Sequence, residues 1–175
     1  MATGKIYDRA AEDVSNIIAM EHVNITVPDQ AIATLFYVNG LGLTRDPYID
    51  FGPSNVWINA GKQQFHLPTK KPQVIRGHIG LVVPDLKALA KRLHSVEKRL
   101  TDTRFSFTSA KEFISVTCPW GNKLKCYGSG KRFNMRLGIP YVEFLVPRGT
   151  ARGIARFYED LFSCRTTLTK TSCQI

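Results

Sequence analysis

Several things are scarce in this chain, and each scarcity removes a class of protein. It has only four cysteines in 175 residues, Cys118, Cys126, Cys164 and Cys173. None forms a CxxC pair, the spacings match no common structural zinc site, and a chain of this length has no need of a disulfide framework, so reduced thiols are expected. No apolar run approaches the roughly 20 residues of a membrane span. The first residues, MATGKIYDRAAEDVSN, lack the hydrophobic stretch of a signal peptide, and a cytoplasmic protein is the expectation. Acidic residues are also few, 14 Asp+Glu against 24 Lys+Arg, for a formal charge of +10. At 43% hydrophobic and 22% charged residues, the balance is that of a globular protein and excludes a disordered or fibrous one.

The positive charge is concentrated. Residues 68–136 carry 15 Lys+Arg against 4 acids, or +11, whereas residues 19–67 sum to −2. Such asymmetry fits an anionic ligand, a nucleic acid, an acidic partner or a solubilising face.

A repeat organises the chain. MEHVNITVPDQ, ending at Gln30, recurs as RGHIGLVVPDL, ending at Leu86, so that His22 corresponds to His78 and Val27-Pro28-Asp29 to Val83-Pro84-Asp85, a displacement of 56 residues. A weaker third copy begins at Pro140-Tyr141-Val142-Glu143-Phe144-Leu145-Val146-Pro147. Each copy opens with a strand rich in β-branched residues that stops at proline. The Asp that follows is a helix N-cap. Ile32, Leu35 and Phe36 mark the buried face of the first helix, which stops near Asn39-Gly40; Leu86, Leu89, Leu93, Val96 and Leu100 mark that of the second. Lys87, Lys91 and Lys98 fall on the second helix's outer side and account for much of the local charge. Three strands should follow each helix, near 43–49, 55–59 and 63–67 in copy one and near 104–108, 113–117 and 123–127 in copy two. The third copy offers a strand, a helix with Ile154, Phe157, Tyr158 and Leu161 inward, and a strand at 165–168.

Paired βαβββ units, opening with His-Val/Ile and x-V-P-D, ending the helix at FY…LGL and closing through a PWGNKL turn, resemble the vicinal oxygen chelate superfamily: glyoxalases, bleomycin-resistance proteins and extradiol dioxygenases. The resemblance covers residues 19–128. It implies an α+β fold in which curved mixed sheets from two units form a cup. The organisation expected is an N-terminal helical extension (1–18), a two-unit domain (19–67 and 77–128), a flexible linker (129–139) and a partial third βαβ unit (140–175), either truncated or completed by a partner chain.

The resemblance also implies a small-molecule ligand, a homodimer, and a divalent metal (zinc, nickel, manganese or iron) on the first and last strands of each unit. Carried over by position, the metal ligands are His22 and His78, converging on a pseudo-twofold axis, with His66 a third ligand or a substrate contact. The closing strand of copy two breaks the pattern. Where D-P-x-G-N-x-x-E is common, this chain reads Cys118-Pro119-Trp120-Gly121-Asn122-Lys123-Leu124-Lys125, placing a cation at the carboxylate ligand's position. A lysine has no lone pair to give a metal but suits an anionic ligand. Trp57, Trp120 and Tyr127 are candidate pocket residues beside Lys125. Glu143, on the same strand face as Tyr141, is the candidate catalytic base.

Gly128-Ser129-Gly130-Lys131-Arg132 lacks the spacing of a phosphate-binding loop and reads as linker. Two readings compete. One is a metal-dependent lyase, isomerase or transferase of the glyoxalase kind, acting on an oxygen-rich molecule. The other is a metal-free module that binds a small anion and has lost catalysis. A ring-cleaving dioxygenase is disfavoured, because copy three is incomplete and carries Tyr141 in place of its histidine. Nucleic-acid binding is weaker still, since the cations lie on a helix back and in turns without interleaved aromatics.

Overall fold

A computed structural model describes residues 17, 19–49, 51–130 and 132–175. The expected N-terminal extension thus falls almost wholly outside the described residues. These residues form two compact units, residues 20–145 and a second containing 146–175.

Within residues 20–145 the predicted repeat appears twice. Copy one runs β1 (His22–Asn24), α1 (Gln30–Thr34), β2 (Thr44–Arg45), β3 (Asn55–Ala60) and β4 (Gln63–Pro68). Copy two runs β5 (Gly77–Val83), α2 (Leu86–Glu97), β6 (Ser106–Ser109), β7 (Phe113–Thr117) and β8 (Lys123–Gly128). The Val-Pro-Asp signature does the same work in both. Proline ends the strand, and the Asp29 carboxylate accepts from Ala31 and Ile32 N–H at 2.8 and 2.9 Å, as Asp85 does from Lys87 N–H at 2.7 Å. After α1 the chain widens into π-type turns over Leu35–Gly40, Leu41 N–H reaching back to Phe36 C=O.

Each of these two copies folds into a mixed sheet in which the first strand lies parallel to the last, in the orders β1-β4-β3-β2 and β6-β7-β8-β5. Alternation sends Val23, Ile25, Ile58, Phe65, Leu67, Ile79, Leu81, Val116, Leu124 and Cys126 into one continuous core together with Phe36, Leu89, Leu93 and Val96 from the helices. The helical layers meet closely, a Cβ on Gly40 standing 3.3 Å from Val96. The helices therefore lie between the two sheets, and the other face of each sheet is turned outward. The expected strand 43–49 shortens to two residues, because Asp46 instead caps a turn, accepting from Tyr48 and Ile49 N–H at 2.8 and 2.9 Å.

Residues 135–145 are not loose connection but a strap. Gly138 exchanges hydrogen bonds with Val82, Gly80 N–H donates to Tyr141 C=O, and β9 (Val142–Phe144) adds a fifth, antiparallel strand to β5 in the register Gly77↔Phe144, His78↔Glu143, Ile79↔Val142. The strap also reaches copy one, where Ile139 N–H donates to the Gln63 side chain at 3.2 Å. Glycines make room for it: an added Cβ would stand 1.8 Å from Glu143 C=O at Gly77, 2.5 Å from the Tyr141 ring at Gly80 and 2.1 Å from Leu137 C=O at Gly61.

In the other unit, α3 (Ala151–Phe162) packs on a hairpin of β10 (Thr167–Leu168) and β11 (Cys173–Gln174). Of the expected inward residues Ile154 and Tyr158 are half-buried, whereas Phe157 and Leu161 remain 50% and 54% exposed. Two strands of two residues cannot cover what a four-stranded sheet covers in copies one and two. Among the described residues no helix is long and apolar enough to cross a membrane.

Candidate functional site

The outward faces of the two sheets hold the residues singled out in the sequence. On the first, β1 presents His22 and Asn24, β4 presents Gln64 and His66, and β3 presents Asn55, Trp57 and Asn59. His66 stacks on Trp57 (centroids 4.1 Å apart, 13° between planes), and His22 stands edge-on to Trp57 at 5.0 Å and to His66 at 6.0 Å. His66 Nε2 is hydrogen-bonded to the Asn55 amide oxygen, and His22 Nδ1 is paired with Glu21. Gln64 donates to both Asp46 and Asn59, at 2.8 and 2.7 Å. Burial, then repulsion from His22, lowers the pKa of His66. The Trp57 indole N–H is buried without a partner among the described residues.

The second face is different in kind. His78 lies between two residues of the strap: its Nδ1 is 3.2 Å from Glu143 Oε1, and its Nε2 is 3.0 Å from the Tyr141 hydroxyl. Tyr141 in turn is 3.0 Å from the Tyr127 hydroxyl. One proton assignment satisfies the whole chain. A carboxylate only accepts, so Nδ1–H donates to Glu143; neutral Nε2 then accepts from Tyr141 O–H, and Tyr127 O–H donates to the Tyr141 oxygen. The His78 pKa is lowered, by burial first, with Lys125 adding to the effect and Glu143 opposing it. Burial, followed by the Tyr127 hydrogen bond, holds the Tyr141 phenol well above its ordinary range.

Lys125 shares this face with Tyr127, since Leu124 and Cys126 point to the core; its ammonium lies 5.9 Å from the centre of the Phe113 ring. Arg132 covers Tyr127 at 4.7 Å and pairs with Glu112 at 3.8 Å, beside a shallow depression of about 510 Å³ lined by Leu86, Glu112, Tyr127, Gly128 and Arg132. Trp120 instead packs against the core from the turn that precedes β8.

The expected meeting of His22 with His78 does not occur within one chain. The helices separate the sheets, and His22 finds His66 and Trp57. His78 meets Tyr141, which stands at the corresponding place in copy three. The first strand of copy two pairs with that of copy three, β5 with β9. Gly77 and Gly80 were the sequence signal for it. The matching residues of copy one are Glu21 and Asn24, both of which carry side chains.

No family model and no curated protein matches the chain, whereas solved structures share its fold. A Bacillus subtilis structure provisionally assigned as a dioxygenase superposes with a TM-score of 0.51 at 14% identity, covering 87% of this chain and 57% of that one. A genomically encoded fosfomycin resistance protein of Listeria monocytogenes gives a TM-score of 0.51 at 10% identity, over 65% of this chain and 93% of its own. A member of the glyoxalase/bleomycin resistance protein/dioxygenase superfamily from Sphaerobacter thermophilus is 23% identical over 65% of this chain and 98% of its own, with a TM-score of 0.46. The chain has the vicinal oxygen chelate fold. It spans little more than half of the B. subtilis structure.

Proteins of this fold often carry a divalent metal, and the donors present can be tested against one. Around His78 they do not fit. Glu143 and Tyr141 occupy opposite edges of the imidazole, so no single ion could bind both through it, and the Lys125 cation is adjacent. On the first sheet His22 and His66 stand together, their rings 6.0 Å apart. Among the described residues no three His, Cys, Asp or Glu side chains gather as a metal-binding group.

Proposed function

We propose that the outward face of the second sheet binds a small, oxygen-rich anion, held by the Lys125 ammonium beside the Phe113 and Tyr127 rings rather than through a metal. The observation that carries this reading is the closure of His78 by Glu143 and Tyr141 beside Lys125. The histidine expected to bind a metal is engaged at both nitrogens, and a cation stands where a carboxylate ligand would. An oxyanion beside Lys125 gains a charge-assisted contact, and the Phe113 and Tyr127 rings reduce its hydration. Calorimetric titration with inorganic phosphate and with acetate should show saturable binding that K125A weakens at least about tenfold. No binding by either anion, or undiminished binding by K125A, overturns the reading.

A second reading, a metal-dependent lyase or isomerase, is favoured by the neighbouring imidazoles of His22 and His66. It requires a further ligand, which a homodimer could supply. Purified protein containing a transition metal that is lost in H22A and H66A would establish it. Metal-free protein of full stability would discard it.

A further inference from the structure

Glu143, His78 and Tyr141 do more than close a histidine. They form an ordered series of acid, imidazole and hydroxyl in which the carboxylate fixes the ring by Nδ1, and Nε2 faces an O–H at 3.0 Å. That is the arrangement by which a weak oxygen nucleophile is activated: a base within hydrogen-bond reach and a third group orienting the base. The parts are held firmly, since β9 is laddered to β5 and the Tyr141 ring lies across Gly80, where no Cβ could stand. Tyr127 donates to the Tyr141 oxygen and leaves the Tyr141 proton directed at His78.

We propose that Tyr141 is a base-assisted nucleophile that accepts an acyl group from a small anionic ester. The inference rests on the anion-binding reading only for the ester's charge, which Lys125 would hold. As the phenol oxygen bonds to the acyl carbon its proton passes to His78 Nε2. The ester C–O bond then breaks, and the same proton leaves with the departing alcohol. Attack of water on the acyl-tyrosine releases the acid and restores the phenol. Because the phenol keeps its proton at rest, transfer to His78 belongs to the bond-forming step itself.

A sulfonyl fluoride traps such a nucleophile, forming an O–S bond with loss of fluoride and no later hydrolysis. The protein is treated with 4-(fluorosulfonyl)benzoate and each tyrosine quantified by peptide mass spectrometry. Tyr48, 92% exposed, is the internal control, because access alone makes it the favoured target. Tyr141 should be modified at least tenfold faster than Tyr48. H78Q should abolish that preference, and E143Q, altering a half-exposed carboxylate, should reduce it while leaving the fold intact. Labelling of Tyr48 as fast as Tyr141, or a Tyr141 rate unchanged in H78Q and E143Q, overturns the proposal. If phosphate still binds, such a result leaves the anion site standing. Conversely, if K125A slows the anionic reagent no more than neutral phenylmethanesulfonyl fluoride, the anion-binding reading fails while the nucleophile survives.

Discussion

The two sheets began as copies of one unit, and their outward faces have diverged. At the same position of the repeat, His22 stands partly exposed on an edge strand that, among the described residues, has no outer neighbour, while His78 is buried under a fifth strand. The first face joins amides and stacked rings to the carboxylates of Glu21 and Asp46; the second joins aromatic rings to cations. The difference follows from two positions. Glycine at 77 and 80 lets another backbone and a tyrosine ring lie against β5, whereas Glu21 and Asn24 leave β1 bare. A strand edge can be converted into a site without altering the fold, by removing side chains from it.

Substitution at these positions should give the largest contrast. Gly77→Ala drives a Cβ into the Glu143 carbonyl and is expected to cost about 3 kcal/mol and to unseat β9. Glu21→Ala should stay within about 0.5 kcal/mol. Denaturant unfolding, together with hydrogen exchange at residues 142–144, reads both. Equal effects at the two positions would break the comparison.

Acid should separate the faces less sharply. His66 and His78 both have lowered pKa values, so the unfolded chain takes up their protons first as pH falls. Their contribution is present above the ordinary histidine pKa and is lost on acidification, so thermal stability should fall from about pH 7 towards pH 5. H66Q and H78Q should each flatten that slope. A slope unchanged in both variants would show that neither ring resists protonation in the folded protein.

The smallest expected effect tests what the copies still share. Asp29→Ala and Asp85→Ala each remove a helix cap and should cost about 1 kcal/mol apiece, a pair of values that differ little. A much larger loss at one cap would show that the copies differ in their framework as well as at their surfaces.

Much of this was legible in the sequence. The displacement of 56 residues located both units, Val-Pro-Asp located both caps, and the spacing of Leu89, Leu93 and Val96 identified the buried face of α2. The parity that put Tyr141 and Glu143 on one face also proved informative, since both reach His78. What alternation could not supply was the partner of each strand. Periodicity says which side chains share a face but not which edge receives another strand, so His78 was matched to His22 rather than to Tyr141. The first part of the strap, up to residue 139, reads as linker because its residues carry neither period. Its order comes from contacts with β5 and Gln63, distant in sequence.

On our proposal the second face, where β9 adds to β5, is where a small anion binds. Titration of isotope-labelled protein with inorganic phosphate, followed by NMR, tests it most directly. Shift changes should cluster at His78, Lys125, Tyr127 and Tyr141, with His22, Trp57 and His66 unmoved. Changes confined to the first face, or none on either, would contradict it.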